Sequence, residues 1–582
     1  MAIAQPIVKR ISDNIDALTE FEKQVRQDES DKTKKIILNF PTVYVHNRKA
    51  SDDYEVYVGE SNNVFQRTRQ HFEEASNSES WQNRLIRDGA SLYIIGHEHF
   101  NKSLTLDIEN RLINYMMSVE CVKRVHNGRG NPQNEYYPVD EFETIFSEIW
   151  KKLRSYNKEL FPTVSSIKDS AIFKASPLHK LRPGQEQARE QIIQMVEDAL
   201  KNNKTQQLVF VDGEAGTGKT VLNSSTFYEL YSNAEERGQR INCWLLVNHV
   251  EQVTVYQQIA EKLGLTDKYG EVVCKPTTFI NNHSSDDPVD VVFVDEAHLL
   301  LTQGKQSYQG TNQLKDIIER ARVTVVMFDE NQILNTEQYW EAKVLEEFRE
   351  KAKKSNSYIT LTEQLRMQVD PITQDWIDSF TKRCEVKKIP KDSKGYEIKV
   401  FDTPEELDYQ ITRKANEPET SLSRLIATYD WEYSSLHRPE DRMAHYWEVL
   451  IDNWHKPWNR ELDKELSAQQ KRRNKRLAWA EQPQTINEVG STFTIQGFDL
   501  NYAGVILGPS VKYEDGKIIF KPENSYDEKA VRNRTLSDNS KQKFGEVLIQ
   551  HAVRVLMTRG VNGLYIYACD PALRHALKEA SK

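Results

Sequence analysis

No apolar run in the 582-residue sequence approaches the roughly 18 residues of a membrane-spanning helix. The opening residues, MAIAQPIVKRISDNID, lack the continuous apolar core of a signal peptide. Cysteine is scarce: Cys121, Cys243, Cys274, Cys384 and Cys569 stand apart, without the paired spacing of a zinc site or a disulfide framework. No internal repeat is evident. Positive charge is not in excess either, since 78 Lys and Arg against 87 Asp and Glu leave a net charge of −9. These absences imply a reduced, cytoplasmic protein with no membrane partner. They remove any global electrostatic attraction to nucleic acid but leave room for a local basic surface. What is present is ordinary globular material, 38% hydrophobic and 28% charged, enough for several cores. At about 150 residues per domain the length suggests three or four of them.

Residues 8–34 carry helix-like apolar spacing among many charges, and the IILNF that follows reads as a strand. TVYVHN at 42–47 and YEVYVG at 54–59, separated by the polar RKASDD, read as a hairpin. A helix from Asn63 to Ala75, a strand SLYIIG, a helix around Leu104–Met117 and a helical stretch within Tyr136–Tyr156 follow. SSIKDSAIFKASPLHKLRPG reads as a linker. Beyond it, apolar strands alternate with helical stretches: QLVFVDG, INCWLLVN, DVVFVDE and VTVVMFDE, then SRLIATYD, AGVILG and LYIYA. That is the pattern of parallel α/β sheets, run twice. The expected fold is therefore an α/β multidomain chain. It has an N-terminal helical segment (1–39), a small α+β domain (40–155), a linker (156–180) and two parallel-sheet lobes (181–355 and 356–582). The second lobe carries a charged, tryptophan-rich insertion at 432–482.

The strongest local signal is Gly213-Glu-Ala-Gly216-Thr-Gly218-Lys219-Thr220, which fits GxxxxGK[ST] between a strand and a helical stretch. Glycines at that spacing let backbone N–H groups wrap phosphates, and the following helix N-terminus favours their charge. Lys219 pairs with β/γ-phosphates in such a loop, and the Thr220 hydroxyl completes a Mg²⁺ shell. Downstream, DVVFVDEAH ends an apolar strand in Asp295-Glu296-Ala-His298. Asp295 is placed to hold the Mg²⁺ and Glu296 to orient and deprotonate an attacking water. The expected cofactors are ATP and Mg²⁺ (or Mn²⁺).

With these motifs the chain resembles a superfamily 1 helicase, and more closely the Schlafen group 3-like DNA/RNA helicase domain family, over about residues 180–575. In LRPGQEQA, Gln185 resembles the adenine-reading Gln. In VVMFDENQIL, Asp329 and Gln332 resemble motif III. In LTEQLRM, Arg366 resembles the motif IV arginine. VGSTFTIQGFDLNYAGVILG resembles motif V, with Gln496, Gly497 and a ribose-facing Asp499, and in VRVLMTRG, Arg559 resembles the motif VI arginine finger. The resemblance implies two RecA-like lobes. Physical reasoning asks for the same arginines, because a P-loop lobe alone cannot stabilise charge developing on the γ-phosphoryl group. For the nucleic-acid grip, Lys471, Arg472, Arg473, Lys475 and Arg476 form a basic run flanked by Trp458 and Trp479, with Trp431, Trp447 and Trp454 upstream. That composition suits either a stacking platform for a strand or a solvated helix face over a tryptophan-containing core.

In the N-terminal region Tyr44 of TVY, Tyr57 and Gly59 of YVG, Ser61, Arg67, His71, Glu109 and Asn127 follow one another in the layout of the GIY-YIG nuclease family, which residues 40–135 resemble. The first signature strand departs from Gly-Ile-Tyr but keeps its tyrosine. The resemblance implies Glu109 as the single metal ligand; the residue types suit Arg67 for neutralising transition-state charge, Tyr44 or Tyr57 as general base, His71 to share that role or hold water, and Asn127 as a brace. A tyrosine base requires a hydroxyl pKa well below its ordinary value near 10. The function expected is an ATP-dependent nucleic-acid enzyme that couples a metal-dependent endonuclease to a helicase or translocase. DNA is expected rather than RNA, in repair or anti-phage defence. The rivals are an RNA-directed helicase-nuclease and a nucleic-acid-stimulated ATPase switch whose N-terminal domain binds without cutting. Oligomeric state is left open.

Overall fold

The computed structural model describes residues 4–27, 29–75, 80–86, 89–127, 135–304, 307–363, 367, 369–437, 439, 445–475 and 477–582. It divides into two compact units: Met1–Leu181 with Val255–Val273, and Arg182–Thr254 with Cys274–Lys582. Among the described residues no helix is long and apolar enough to cross a membrane.

The first unit is built on strands β1 (Ile7–Ser12), β2 (Thr42–Ala50), β3 (Asp53–Ser61), β4 (Ser91–Gly96) and β5 (Val122–Val125), in the order β1-β4-β2-β3-β5. Helices α1 (Ile15–Gln27), α2 (Asp31–Asn39), α3 (Val64–Glu74), α4 (Trp81–Leu85), α5 (Lys102–Ser118) and α6 (Phe142–Tyr156) accompany them. The hairpin is as expected: β2 and β3 pair antiparallel with Tyr44 opposite Gly59 and His46 opposite Tyr57. Two expectations fail at the N-terminus. IILNF is not a strand; Ile36 and Ile37 are the buried residues of α2, whose N-terminus is capped by Ser30 Oγ accepting from Thr33 N at 3.2 Å. A short apolar run fits a buried helix as well as a strand, and here the cap decides. Residues 8–12, expected to be helical, lie in β1 and pair antiparallel with β4.

The stretch read as a linker is packed. It forms α7 (Val164–Asp169) and α8 (Ala171–Lys174), buries Ile167, and carries Pro162, whose carbonyl accepts from Trp150 Nε1 at 2.8 Å. Residues 255–273, read as part of the first lobe, belong to the N-terminal unit. They supply the end of α11 and the short α12, which follow α9 (Pro183–Lys201) and α10 (Lys219–Glu236) in the chain. Helix α11 is Val250–Lys262 and α12 is Leu265–Tyr269. Lys262 Nζ donates to the carbonyls of Met117 and Val119 at 2.9 and 2.8 Å, at the C-terminal end of α5.

The second unit holds two parallel sheets. One has the order β11-β6-β10-β9-β7-β8, built from β6 (Gln207–Gly213), β7 (Cys243–Val247), β8 (Val273–Cys274), β9 (Val289–Asp295), β10 (Ala321–Phe328) and β11 (Tyr358–Leu361). The other has the order β12-β22-β17-β13-β16. It is built from β12 (Glu397–Val400), β13 (Arg424–Ala427), β16 (Val489–Gly490), β17 (Leu500–Leu507) and β22 (Gly560–Ala568). Hairpins β14–β15 (Glu448–Ile451, Trp454–Pro457), β18–β19 (Val511–Glu514, Lys517–Phe520) and β20–β21 (Asn533–Thr535, Lys541–Lys543) decorate them. In the insertion, Trp458 and Trp479 are fully enclosed and Trp447 and Trp454 are buried. Trp447, Trp454 and Trp458 belong to the second sheet's core, and Trp431 packs against that core half-buried. The stacking platform is therefore corrected for four of the five rings, which are buried and have no face to offer a base; Trp431 alone is half-buried. Lys471, Arg472 and Arg473 lie on the short helix Ala468–Asn474 and Lys475 at its end; Arg476 lies outside the described residues.

One buried acid belongs to this core. Glu488 accepts from Leu462 N at 2.7 Å and from Trp479 Nε1 at 3.1 Å, and burial pushes its carboxyl up to about 7. A folded pKa above the unfolded value means that the folded state keeps its proton longer. The contribution is whole below the unfolded pKa near 4.5 and is lost as pH rises towards 7. Thermal unfolding of wild type and Glu488→Gln should therefore diverge with pH, the variant gaining relative stability between pH 4.5 and 8. Parallel pH profiles would exclude this role for Glu488.

Candidate active sites

The C-terminal ends of parallel strands are where an open α/β sheet presents its ligand site, and here β6 and β9 end in Gly213 and Asp295 while Asp329 directly follows β10. A Cβ on Gly213 would lie 2.8 Å from Thr217 Oγ1 and 3.1 Å from Leu361 O, so the loop closes on itself only around glycine. Gly216 and Gly218 adopt φ of 86° and 78°, which favours glycine. Lys219 opens α10, with Thr220 half-buried beside it in the first turn. Lys219 Nζ donates to Gly213 O at 2.6 Å and Glu214 O at 2.9 Å and lies 3.8 Å from Asp329 Oδ2. A buried ammonium held on loop carbonyls at a helix N-terminus is a cradle shaped for a phosphate chain.

Asp295 is enclosed at the end of β9. Glu296 is buried in the left-handed region, at φ 47°, and its Oε2 makes no hydrogen bond, with His298 Nε2 at 3.5 Å. Burial works to raise the Glu296 carboxyl, but His298, Lys219 and Arg559 outweigh it and hold it ionised. Asp329 is likewise pushed up by burial and held low by Lys219, His298 and Gln332. Gln332 joins the lobes: its Nε2 donates to Asp329 Oδ2 at 2.8 Å, its Oε1 accepts from Arg559 Nη2 at 3.1 Å, and its carbonyl accepts from Gln496 Nε2 at 3.1 Å. Arg559 is fully enclosed and also donates to Val555 O and Phe498 O. Gln185 donates to Thr217 O and Gly218 O at 3.4 and 3.3 Å, behind the loop. Gly497 has φ 87°, and a side chain there would collide with Gln252; Asp499 is half-buried close by in sequence. Arg366 lies outside the described residues.

A second arginine was missed. Arg554, on the helix Gly545–Met557, donates from Nη2 to Glu214 Oε2 in the phosphate loop and from Nη1 to Asp378 Oδ1, both at 2.7 Å. Lys382 Nζ joins it on Glu214 Oε1 at 2.6 Å. The sequence carried a signal: a charged residue inside the apolar run HAVRVLM cannot be buried without partners.

The second cluster lies in the N-terminal unit. Tyr44 Oη is 3.1 Å from His71 Nε2, and Tyr57 packs its ring 5.4 Å from His71 and flat on Trp81 at 3.8 Å. A Cβ on Gly59 would lie 2.5 Å from Tyr44 Oη, so the glycine makes room for the tyrosine. Arg67, part-exposed on α3, acts electrostatically on both tyrosine hydroxyls. Glu109 sits on the buried face of α5, and Asn127 Nδ2 donates to its Oε1 at 3.1 Å and to Val58 O at 3.0 Å. Burial, reinforced by the Glu60 carboxylate, pushes Glu109 up to about 7 against Lys102 and Asn127. A sequestered carboxyl beside a second acid fits a divalent cation, which would replace its proton. Among the described residues no three His, Cys, Asp or Glu side chains gather as a metal cage, and a single-carboxylate site does not need one. The expected fall in tyrosine pKa is not found: burial pushes both Tyr44 and Tyr57 up. His71 is pushed down to about 3 by burial, then by His46 and Arg67, so it stands as a neutral imidazole against the Tyr44 hydroxyl.

Residues 206–570 match the family described as Schlafen group 3, DNA/RNA helicase domain. The chain belongs to that family. A helicase-like, ATP-using nucleic-acid enzyme is what membership makes it. It is also 32% identical over 429 residues to an uncharacterized protein of Saccharomyces cerevisiae, YPL245W, covering 68% of this chain and 90% of the yeast one. Among solved structures it is similar to the Pif1 helicase from Candida albicans: 16% identity, 41% of this chain, about half (55%) of that chain, TM-score 0.20. It is also similar to a chain described under DNA unwinding at forked dsDNA by two coordinating Pif1 helicases: 11% identity, 67% of this chain, 92% of that chain, TM-score 0.25. Overlaps this small carry no conclusion on fold or activity.

Two outcomes are expected from these contacts. Arg554→Ala should lower kcat for ATP by about 10²-fold or more, the scale of losing one preorganised charge donor, in a coupled ATPase assay; an unchanged kcat would leave Arg554 a purely structural tie. Gly59→Ala should displace Tyr44 and cost about 1–3 kcal/mol of stability by overpacking, read from denaturant unfolding.

Proposed function

We propose that this chain couples a metal-dependent GIY-YIG-type endonuclease in its N-terminal unit to a superfamily 1 helicase or translocase that acts on DNA. The observation that carries the reading is the gathering of Tyr44, Tyr57, Arg67, His71 and an Asn127-braced, buried Glu109 in one chain with a phosphate-loop cleft.

In the cleft, Lys219 and the loop amides bind the β/γ-phosphates, and Thr220 and Asp295 would hold Mg²⁺, which supplies charge neutralisation there. Glu296 orients the attacking water and takes its proton. Arg559, with Arg554, stabilises charge developing on the γ-phosphoryl group. Because the arginines come from the second lobe, lobe closure depends on nucleotide, and hydrolysis becomes movement along a strand. In the N-terminal unit Glu109 would hold Mg²⁺ or Mn²⁺, which supplies Lewis-acid polarisation of the phosphate. Arg67 neutralises charge on the pentavalent phosphorus, and Tyr44 with His71 manages the proton of the attacking water. Tethering raises the local concentration of the strand at the nuclease without new contacts. Such a pairing suits repair or the destruction of invading DNA.

The test is cleavage of single-stranded, duplex and forked DNA, and of RNA, with Mg²⁺ or Mn²⁺ and with or without ATP. Glu109→Ala should abolish cutting while keeping strand-stimulated ATPase, and Lys219→Ala should abolish ATPase and alter cutting. RNA cut in preference to DNA would make the enzyme RNA-directed. Nucleic acid left whole in every lane while stimulating ATPase would make the N-terminal unit a binding module.

A further inference from the structure

Next to the Tyr44–His71 pair lies a second buried pair that none of these roles uses. Asp13 follows β1 and His46 sits on β2, two residues beyond Tyr44 and on the same face of the strand. Asp13 Oδ2 is 2.7 Å from His46 Nδ1, and both side chains are fully enclosed. The carboxylate fixes the imidazole with its proton on Nδ1 and its lone pair on Nε2. That Nε2 is buried and makes no hydrogen bond. The His46 ring stands 5.6 Å from the His71 ring at 88°, and His71 Nδ1 is also buried without a hydrogen bond. With Nε2 of His71 taking the Tyr44 proton, Nδ1 is the N–H side, so a donor and an acceptor, each without a partner, are left on neighbouring rings. Buried polar atoms are seldom left so, and a water between the two rings would satisfy both. The groups around them are Tyr57 and Trp81, whose rings lie 6.1 and 5.9 Å from His46, and Arg67. One carboxylate competes for the His71 proton: Glu74 Oε2, 3.5 Å from Nδ1 and half-exposed.

We propose that Asp13 and His46 extend the Tyr44–His71 pair into a proton relay that ends on a buried imidazolium–carboxylate pair. The inference rests on the nuclease reading and deepens it. As the oxygen of the attacking water forms its bond to phosphorus, the water's proton passes to Tyr44 Oη. The Tyr44 proton passes to His71 Nε2, and the Nδ1 proton of His71 passes to His46 Nε2. The scissile P–O bond breaks with its electron pair on the sugar oxygen, which takes a proton from solvent. Asp13 stays ionised beside the imidazolium. A tyrosine whose own hydroxyl is held high by burial thus serves as a base by handing its proton on, without ionising beforehand. Asp13 and His46 touch no substrate and are positioning residues.

The test uses the full chain. Single-turnover cutting with Mn²⁺ is measured for wild type, Asp13→Asn, His46→Gln, His46→Ala with and without imidazole, Glu74→Gln and Glu109→Ala. Melting temperature and ATPase are followed for each. Asp13→Asn and His46→Gln should cut about 10–100-fold more slowly. KM and ATPase should be unchanged, any fall in melting temperature should not track the fall in rate, and imidazole should restore part of the His46→Ala rate. Selective ¹⁵N-histidine labelling should find both His46 and His71 as neutral Nδ1–H tautomers. Wild-type rates in both variants overturn the relay but leave the nuclease, as does slowing by Glu74→Gln alone or an Nε2–H tautomer at His71. If wild type cuts nothing, the nuclease reading falls and takes the relay with it. Loss of rate that follows loss of melting temperature, with no rescue by imidazole, also overturns it.

Discussion

Burying a lysine ammonium is costly unless charge and hydrogen bonds surround it, and the helicase-family part of this chain is organised by meeting that condition at Lys219. Two loop carbonyls and the Asp329 carboxylate hold the ammonium. Asp329 is tied to Gln332, and Gln332 to Arg559 and Gln496 of the second lobe. The strand ends of one sheet are thus linked to Arg559, just before β22, and to Gln496 of the next lobe by a continuous set of polar contacts, each of which satisfies a buried group. Anything that changes the charge at the phosphate loop must be felt along this line, since no member can be left unpaired cheaply. Arg554 and Lys382 add a second tie from the same lobe, to the Glu214 carboxylate.

In the N-terminal unit the same force, desolvation, does the opposite work on different residue types. It raises Glu109 and both tyrosines and lowers His71, because in each case the charged form is disfavoured. The result is a set of side chains held towards their neutral forms around the Tyr44–His71 contact. The buried Asp13–His46 pair lies beside the tyrosine, with the His46 ring 5.4 Å from that of Tyr44.

What could be read from the sequence follows from what each feature needs. The phosphate loop and the DEAH strand were legible because backbone geometry and apolar alternation tie fixed residue types to fixed spacings. The β2–β3 hairpin was legible for the same reason. IILNF was not, because a five-residue apolar run satisfies either period and its helix is decided by Ser30. The tryptophans of the insertion were ambiguous by composition, and burial settles them as core. Asp13 was hidden by distance: it lies in a segment set aside as helical and meets His46 only because β1, β4 and β2 are neighbours in one sheet. Arg554 was overlooked beside Arg559, since nothing in a motif says which of two arginines five residues apart meets the loop.

The boundary between the helicase-family span and the N-terminal unit is the part least visible in one dimension. Residues 255–273 come after the phosphate loop, yet they complete the N-terminal unit. Lys262 places its ammonium on the Met117 and Val119 carbonyls at the end of α5, where the helix dipole is negative, and Arg124 pairs with Asp267 at 2.6 Å in the same region. Helix α5 is the element that carries Glu109. The helix bearing the candidate metal ligand is therefore finished by residues that the chain supplies only after it has entered the helicase sequence. A unit assembled in this way is not a module appended to the matched helicase span, because Leu263, which packs against its core, is encoded inside that span.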